Sequence, residues 1–218
     1  RDWGVVTALG PDDFLNAVHD ALSTTEQFLR ALDAEVRFEH VRPSLDLIGA
    51  AAIEVTVGHP RGTKDCDVLE AWGREADVVR GELERSAGKG TPLARRMDLY
   101  VDVVANGFPL LPRPPEWIPV LQLQRFDVRA LAPADVAVSK LKRFAPRDRE
   151  DIDALVEHGH ITHERFVQRF LLALEWLVLE TDVEEFRKIR ARFHEVESEI
   201  FAVRTLTVIE VPTWLDED

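Results

Sequence analysis

The sequence predicts an α/β fold, a small mixed sheet with flanking helices followed by a helical C-terminal region. Three observations carry that expectation. Residues 45–48 and 63–69 have the length and alternation of short strands. Between them lies an apolar, Ala-rich run, residues 50–57, which suits a helix packed closely on a sheet and is closed by Gly58, Pro60 and Gly62. From Pro133 almost to residue 203 the apolar spacing is helical. The division expected is residues 1–132 as an α/β domain with N-terminal helices and residues 133–218 as the helical region.

The elements follow in order. Pro11 and Asp12-Asp13 open a helix whose stripe is Phe14, Leu15, Val18 and Leu22. Ser23 with Glu26 makes a capping box for a second helix reaching about Val36. After the strand at 45–48, the helix at 50–57 and the strand at 63–69, residues 72–85 read as an exposed helix and 86–92 as a loop. Residues 97–104 then read as a strand, with Leu99, Val101 and Val103 on one face and Asp98, Tyr100 and Asp102 on the other. Gly107 and five prolines make 105–120 an irregular arm or domain boundary, and 121–131 holds a short strand. In the helical region Thr162 starts one helix, Thr181 with Glu184 caps another, and 204–211 reads as an added edge strand.

Bulk composition narrows the function. A hydrophobic fraction of 45% supplies a core, and 31% charged residues without a like-charge block exclude global disorder. The formal net charge of −13 repels phosphate backbones, so a nucleic-acid partner needs a local basic patch, such as Arg95-Arg96 merged with residues 140–149. The single cysteine, Cys66, allows no intrachain disulfide and fits a reducing cytoplasm; flanked by aspartates, it reads as a packing residue and not a nucleophile. No signal-peptide pattern is present. The longest apolar stretch, 170–179, is too short to span a bilayer and contains Glu175. No methionine precedes Met97, as expected of numbering that starts inside a longer product.

The chemistry concentrates at Gly49-Ala50 and Arg61-Gly-Thr-Lys64-Asp65-Cys-Asp67. In a strand, residues i and i+2 share a face, so Asp65 and Asp67 offer two carboxylates to one site. Hard cations such as magnesium take oxygen ligands, and paired ions clamp the attacking and leaving oxygens of a phosphoryl displacement. Asp151 and Asp153 repeat the D-x-D spacing inside a helical pattern, where such residues diverge and make no ligand pair. A strand that ends in glycine and enters a helix also presents backbone N–H groups to a phosphate.

This arrangement resembles nucleotidyltransferases of the DNA polymerase beta superfamily, whose pattern is a Gly-Ser or Gly-Gly pair, a helix, D-x-D and a third acid on a neighbouring strand. It looks most like the bacterial group related to AbiEii toxins and to nucleotidyltransferase-like proteins. Lys140, followed by Arg147-Asp148-x-x-Asp151-Ile152, matches that group's lysine and R-D-x-x-D segment, and the resemblance covers about residues 45–157. It implies a magnesium- or manganese-dependent transfer of a nucleotidyl group from a nucleoside triphosphate to an RNA or protein hydroxyl, in a toxin–antitoxin or phage-defence setting. Asp65, Asp67 and Asp102 are then the metal ligands, with Asp98 the alternative third acid. Gly49, Ala50, Arg61, Lys64, Lys140, Arg147 and Asp151 face the nucleotide, and Asp148 and Asp151 orient Lys140 or Arg147. A tRNA end or a partner protein is the implied acceptor.

Ala50 departs from the pattern, where serine or a second glycine is usual. That departure favours the other reading, a catalytically inactive nucleotide sensor or antitoxin-like partner. His158, His160 and His163 lack the paired arms of a zinc site, and Trp72, Trp117 and Trp176 read as packing residues.

Overall fold

Ser23 starts the first helix in the computed structural model, which describes residues 22–38, 40–60, 62–71, 73, 75–106 and 110–211. Its hydroxyl accepts from the Glu26 N–H at 3.1 Å and the Glu26 carboxylate accepts from the Ser23 N–H at 3.0 Å, the predicted capping box. The helix, α1 (Thr24–Glu35), buries Phe28, Leu29 and Leu32. The helix predicted from Pro11 lies outside the described residues, as do Arg61 and Trp72.

Among the described residues the sheet has five strands: β1 (Ser44–Leu47), β2 (Asp65–Leu69), β3 (Tyr100–Val104), β4 (Trp117–Gln122) and β5 (Asp127–Leu131), in the order β3-β2-β1-β5-β4. It is mixed: β1 runs antiparallel to β2 and parallel to β5, and β2 is parallel to β3. Alternation separates its faces. Leu45, Leu47, Cys66, Val68, Val101, Val128 and Ala130 are buried in the core. Asp46, Asp65, Asp67, Tyr100, Asp102 and Arg129 share the opposite face by register. One polar face and one packed face is the usual state of a partly antiparallel sheet.

Helix α2 (Gly49–Val57) follows β1 directly, and its Glu54 reaches back to α1, accepting from the Thr25 N–H (3.2 Å) and hydroxyl (3.0 Å). Helix α3 (Ala76–Ala87) packs on β3 and on the short α4 (Pro92–Met97). Helices α5 (Pro133–Lys140), α6 (Pro146–Glu157), α7 (His163–Glu180) and α8 (Val183–Glu195) follow, ending in one π-helical turn (Val196–Ile200). Stacked rings seal α7 to α8, with Phe170 and Phe193 centroids 4.1 Å apart. Among the described residues no helix is long and apolar enough to cross a membrane.

Four expectations need correction. Residues 97–104 are not one strand: Thr91 caps the N–H of Ala94 (3.2 Å), Pro92 enters the first turn of α4, and Asp98 ends that helix in a left-handed conformation, so β3 begins only at Tyr100. The arm at 105–120 is strand from Trp117 onward, forming a hairpin with β5; Pro119 is tolerated beside an irregularity on the outermost strand, where its missing donor goes unused. Residues 204–211 form no strand. Side chains hold that segment instead, Glu197 accepting from the Thr207 N–H (3.1 Å) and Arg190 donating to the Ile209 carbonyl (3.1 Å). The cap of α8 is Asp182, which accepts from the Glu185 N–H at 2.8 Å, one residue beyond the Thr181 expected.

A buried charge joins α5 to α7 and both to the segment that leads into β4. Asp135 in α5 is fully buried and takes two hydrogen bonds from Arg169 of α7, at 2.5 and 2.8 Å, and one from the Glu116 N–H at 2.7 Å. Breaking such a pair strands a carboxylate in the interior. Arg169→Leu is expected to lower unfolding stability by about 3–5 kcal/mol in urea titration. The double variant Arg169→Leu/Asp135→Leu is expected to recover most of that loss.

Candidate functional site

The parallel β2–β3 ladder sets Asp67 directly beside Asp102 and Asp65 beside Tyr100. Neighbouring strands lie about 4.8 Å apart, so three carboxylates crowd one small patch of the polar face. Asp67 is pushed up to about 6, first by burial and then by the charges of Asp65 and Asp102, while Lys140 and Arg143 pull it back. Burial, followed by Asp65, Asp102 and Asp67, also raises the Tyr100 hydroxyl. Between the two aspartates Cys66 points into the core, and burial, then Asp67, Glu54 and Asp65, drives its thiol far above its ordinary range. A thiol so suppressed is inert as a nucleophile.

The entry to α2 closes over this patch. Ile48 donates its N–H to the Asp67 carbonyl at 3.0 Å. Gly49 then turns with φ +61, and a Cβ there would stand 2.6 Å from Asp67 Oδ2. Glycine is required on both counts, because L residues resist this backbone region and the carboxylate occupies the space. Ala50 follows, half-buried, in the first turn.

A cationic layer comes from the helical region. Lys140, at the last turn of α5, is only 8% exposed and lies between two carboxylates of α6, Asp151 at 2.5 Å and Asp148 at 3.4 Å. Asp148 also accepts two bonds of 2.7 Å from Arg143 and one of 2.9 Å from the Ala145 N–H. Burial raises the Asp148 carboxyl, but Arg143, the Ala145 amide and Lys140 more than offset this and leave it below the ordinary range. The Arg143 side chain remains 75% exposed and feels both Asp67 and Asp65. Asp153 is exposed on α6 while Asp151 is buried, so that second D-x-D diverges on its helix.

The remaining predicted residues fall elsewhere. Lys64 pairs with Asp98 at 3.2 Å, both largely exposed. Asp98 caps α4 and is not on the strand, so Asp102 is the third acid that the register places beside Asp67. Arg147 is exposed, and the arginine bound to Asp148 is Arg143. Arg143 and Tyr100 had drawn no role from the sequence. The Lys140-x-x-Arg143 spacing, one helical turn, was the signal for the first, and the shared face with Asp102 was the signal for the second. His163 binds Glu197 at 2.8 Å, apart from His158 and His160, which with His59 line a separate 200 Å³ cavity.

Residues 27–200 match the family model described as Nucleotidyltransferase of unknown function (DUF6036). The chain belongs to this family. No curated protein and no solved structure gave a significant match. The acids of β2 and β3, the Gly49 turn and the Lys140–Asp148–Asp151 group all fall within the matched residues of this nucleotidyltransferase family.

The donor chemistry suits a hard divalent cation: three carboxylates on one face, one of them raised to about 6 by burial and then by its two acidic neighbours. Backbone register brings the acids together, but among the described residues no three His, Cys, Asp or Glu groups already form a metal-holding cluster. The Thr63 hydroxyl donates to the Asp65 carboxylate.

Two outcomes follow. Gly49→Ala combines a left-handed backbone with a clash against Asp67, and calorimetry is expected to show about 1–2 kcal/mol of lost stability. For Asp67 the folded value lies above the ordinary 3.8, so the folded state binds its proton more tightly than the unfolded chain. The resulting stability is complete below about pH 4 and is lost as pH rises through about 6. Metal-free protein is expected to lose about 3 kcal/mol across that window, and Asp67→Asn to remove the dependence.

Proposed function

We propose that this chain transfers a nucleotidyl group from a nucleoside triphosphate to a hydroxyl acceptor, as in the polymerase beta-like and AbiEii-like proteins it resembles. The observation that carries the reading is the register of Asp67 beside Asp102, with Asp65 on the same face and the exposed Arg143 guanidinium reaching their field. Asp65, Asp67 and Asp102 would hold magnesium or manganese, which supplies Lewis-acid activation of the phosphoryl group.

The chain's own groups account for the rest. The first-turn amides at Gly49 and Ala50 face the polyphosphate. Arg143 meets its oxygens with a planar, exposed fork. Lys140, enclosed by Asp148 and Asp151, holds that cationic layer in place and adds its field at Asp67. The acceptor oxygen attacks the α-phosphorus, one P–O bond forms, the bond to pyrophosphate breaks, and the hydroxyl proton passes to the solvent-facing Asp102 carboxylate.

Part of the basic surface that RNA would need is consumed locally. Arg149 binds Glu195 and Glu199, Arg96 lies 3.5 Å from Glu35, and Lys140 is buried. With a net charge of −13, this favours a protein hydroxyl over RNA as acceptor.

Thermal melting tests the reading. Magnesium or manganese with a nucleoside triphosphate is expected to raise Tm, by about 2.7 kcal/mol of stabilisation at a hundredfold excess over Kd. Asp65→Asn and Asp67→Asn are expected to abolish the rise, Asp153→Asn to leave it intact, and Arg143→Gln to weaken nucleotide binding about 10-fold. Release of pyrophosphate separates transfer from the sensor reading that Ala50 suggests: binding without release identifies a sensor. No shift in any variant would sink both.

A further inference from the structure

Beyond Asp102 the polar face of the sheet runs into an open cleft of 470 Å³ at the β3 edge. Tyr100, Val101, Asp102 and Val103 of β3 line it, together with Glu84 and Lys89. The Tyr100 ring is half-exposed, and the Lys89 ammonium lies 5.8 Å from its centroid. Lys89 is carried by a Gly-Lys-Gly turn at the end of α3, in which Gly90 has φ +85. Lys140 and Arg143 act on Asp67, and Arg143 also feels Asp65, whereas Asp102 and Tyr100 stand on β3, the outermost strand on this side of the sheet.

The site is therefore polarised. A triphosphate whose charged end lies on Arg143 and the α2 N-terminus, with its α-phosphate over the three carboxylates, projects its nucleoside past Asp102. There it meets the half-exposed Tyr100 ring, over which lies the ammonium of the exposed Lys89, a flexible side chain that a base can displace. From this geometry we infer that the Tyr100–Lys89 cleft is the nucleobase subsite, with the base of the incoming nucleotide stacked on Tyr100 and its edge within reach of Lys89. The chemistry matches: any base offers a π-face to tyrosine, and ring nitrogens and carbonyl oxygens accept from an ammonium. A long polymer is poorly served by a cleft with one cation and two carboxylates, whereas a single planar ring needs little more than the tyrosine face. This inference rests on the nucleotidyl-transfer reading above.

The test compares two ligands that share the polyphosphate and differ in the base, Mg·ATP and Mg·tripolyphosphate, by isothermal titration of the full chain. Wild-type protein is expected to bind both, ATP more tightly. Tyr100→Ala is expected to weaken ATP about 10-fold, the scale of one base–aromatic stack, and to leave tripolyphosphate unchanged. Tyr100→Phe, which keeps the ring and loses the hydroxyl, is expected to retain ATP affinity. Equal weakening of both ligands by Tyr100→Ala would overturn the inference, since Tyr100 would then be shaping the carboxylates. Unchanged ATP affinity in Tyr100→Ala, or wild-type protein that binds the two ligands equally, would overturn it as well. In those cases tripolyphosphate binding that is lost in Asp67→Asn leaves the nucleotidyl-transfer reading standing. Wild-type protein that binds neither ligand overturns both.

Discussion

Parallel pairing of β2 with β3 is the constraint on which the site rests. It forces Asp67 against Asp102 and places Asp65 one step away on the same face, so like charges accumulate where burial already disfavours them. A sheet designed only for stability would alternate polar and neutral residues there. This one holds its acids in register through main-chain hydrogen bonds that the side chains cannot relax. The same ladder turns Cys66 and Val101 into the core, so the repulsion is carried by a strand pair anchored from below.

Compensation arrives in two layers of different character. Lys140 is interior and spends its charge on Asp148 and Asp151; it fixes the junction between α5 and α6 more than it greets a ligand. Arg143 is tied to Asp148 by two short hydrogen bonds yet stays open to solvent, which makes its fork both preorganised and reachable. Both cations lower the cost of charge at Asp67, one from the interior and one from the surface.

The legible parts of the sequence were those with short-range physics. The Ser23 capping box, the Gly49 turn, the alternation of Asp65 and Asp67, and the helical spacing after Pro133 all announced elements that the structure contains. Failures came where local pattern and real backbone diverged. Asp98, Tyr100 and Asp102 alternate as one strand would, but a single left-handed residue at Asp98 converts the first of them into a helix cap. Trp117–Gln122 hid behind its prolines because an outermost strand tolerates a missing donor. Arg143 escaped because it lies in the short turn between α5 and α6, where no periodic pattern marks its contact with Asp148 in the first turn of α6.

The distance along the chain between acids and cations has a consequence for synthesis. Strands β1, β2 and β3 are neighbours in the sheet and are all made before α5 begins. As the polypeptide leaves the ribosome, its N-terminal portion can assemble the acid patch while Lys140 and Arg143 have yet to be translated. During that interval only protons or ambient cations can quiet the repulsion. The cations that ease Asp67 in the finished fold are thus the last part of the site to be made.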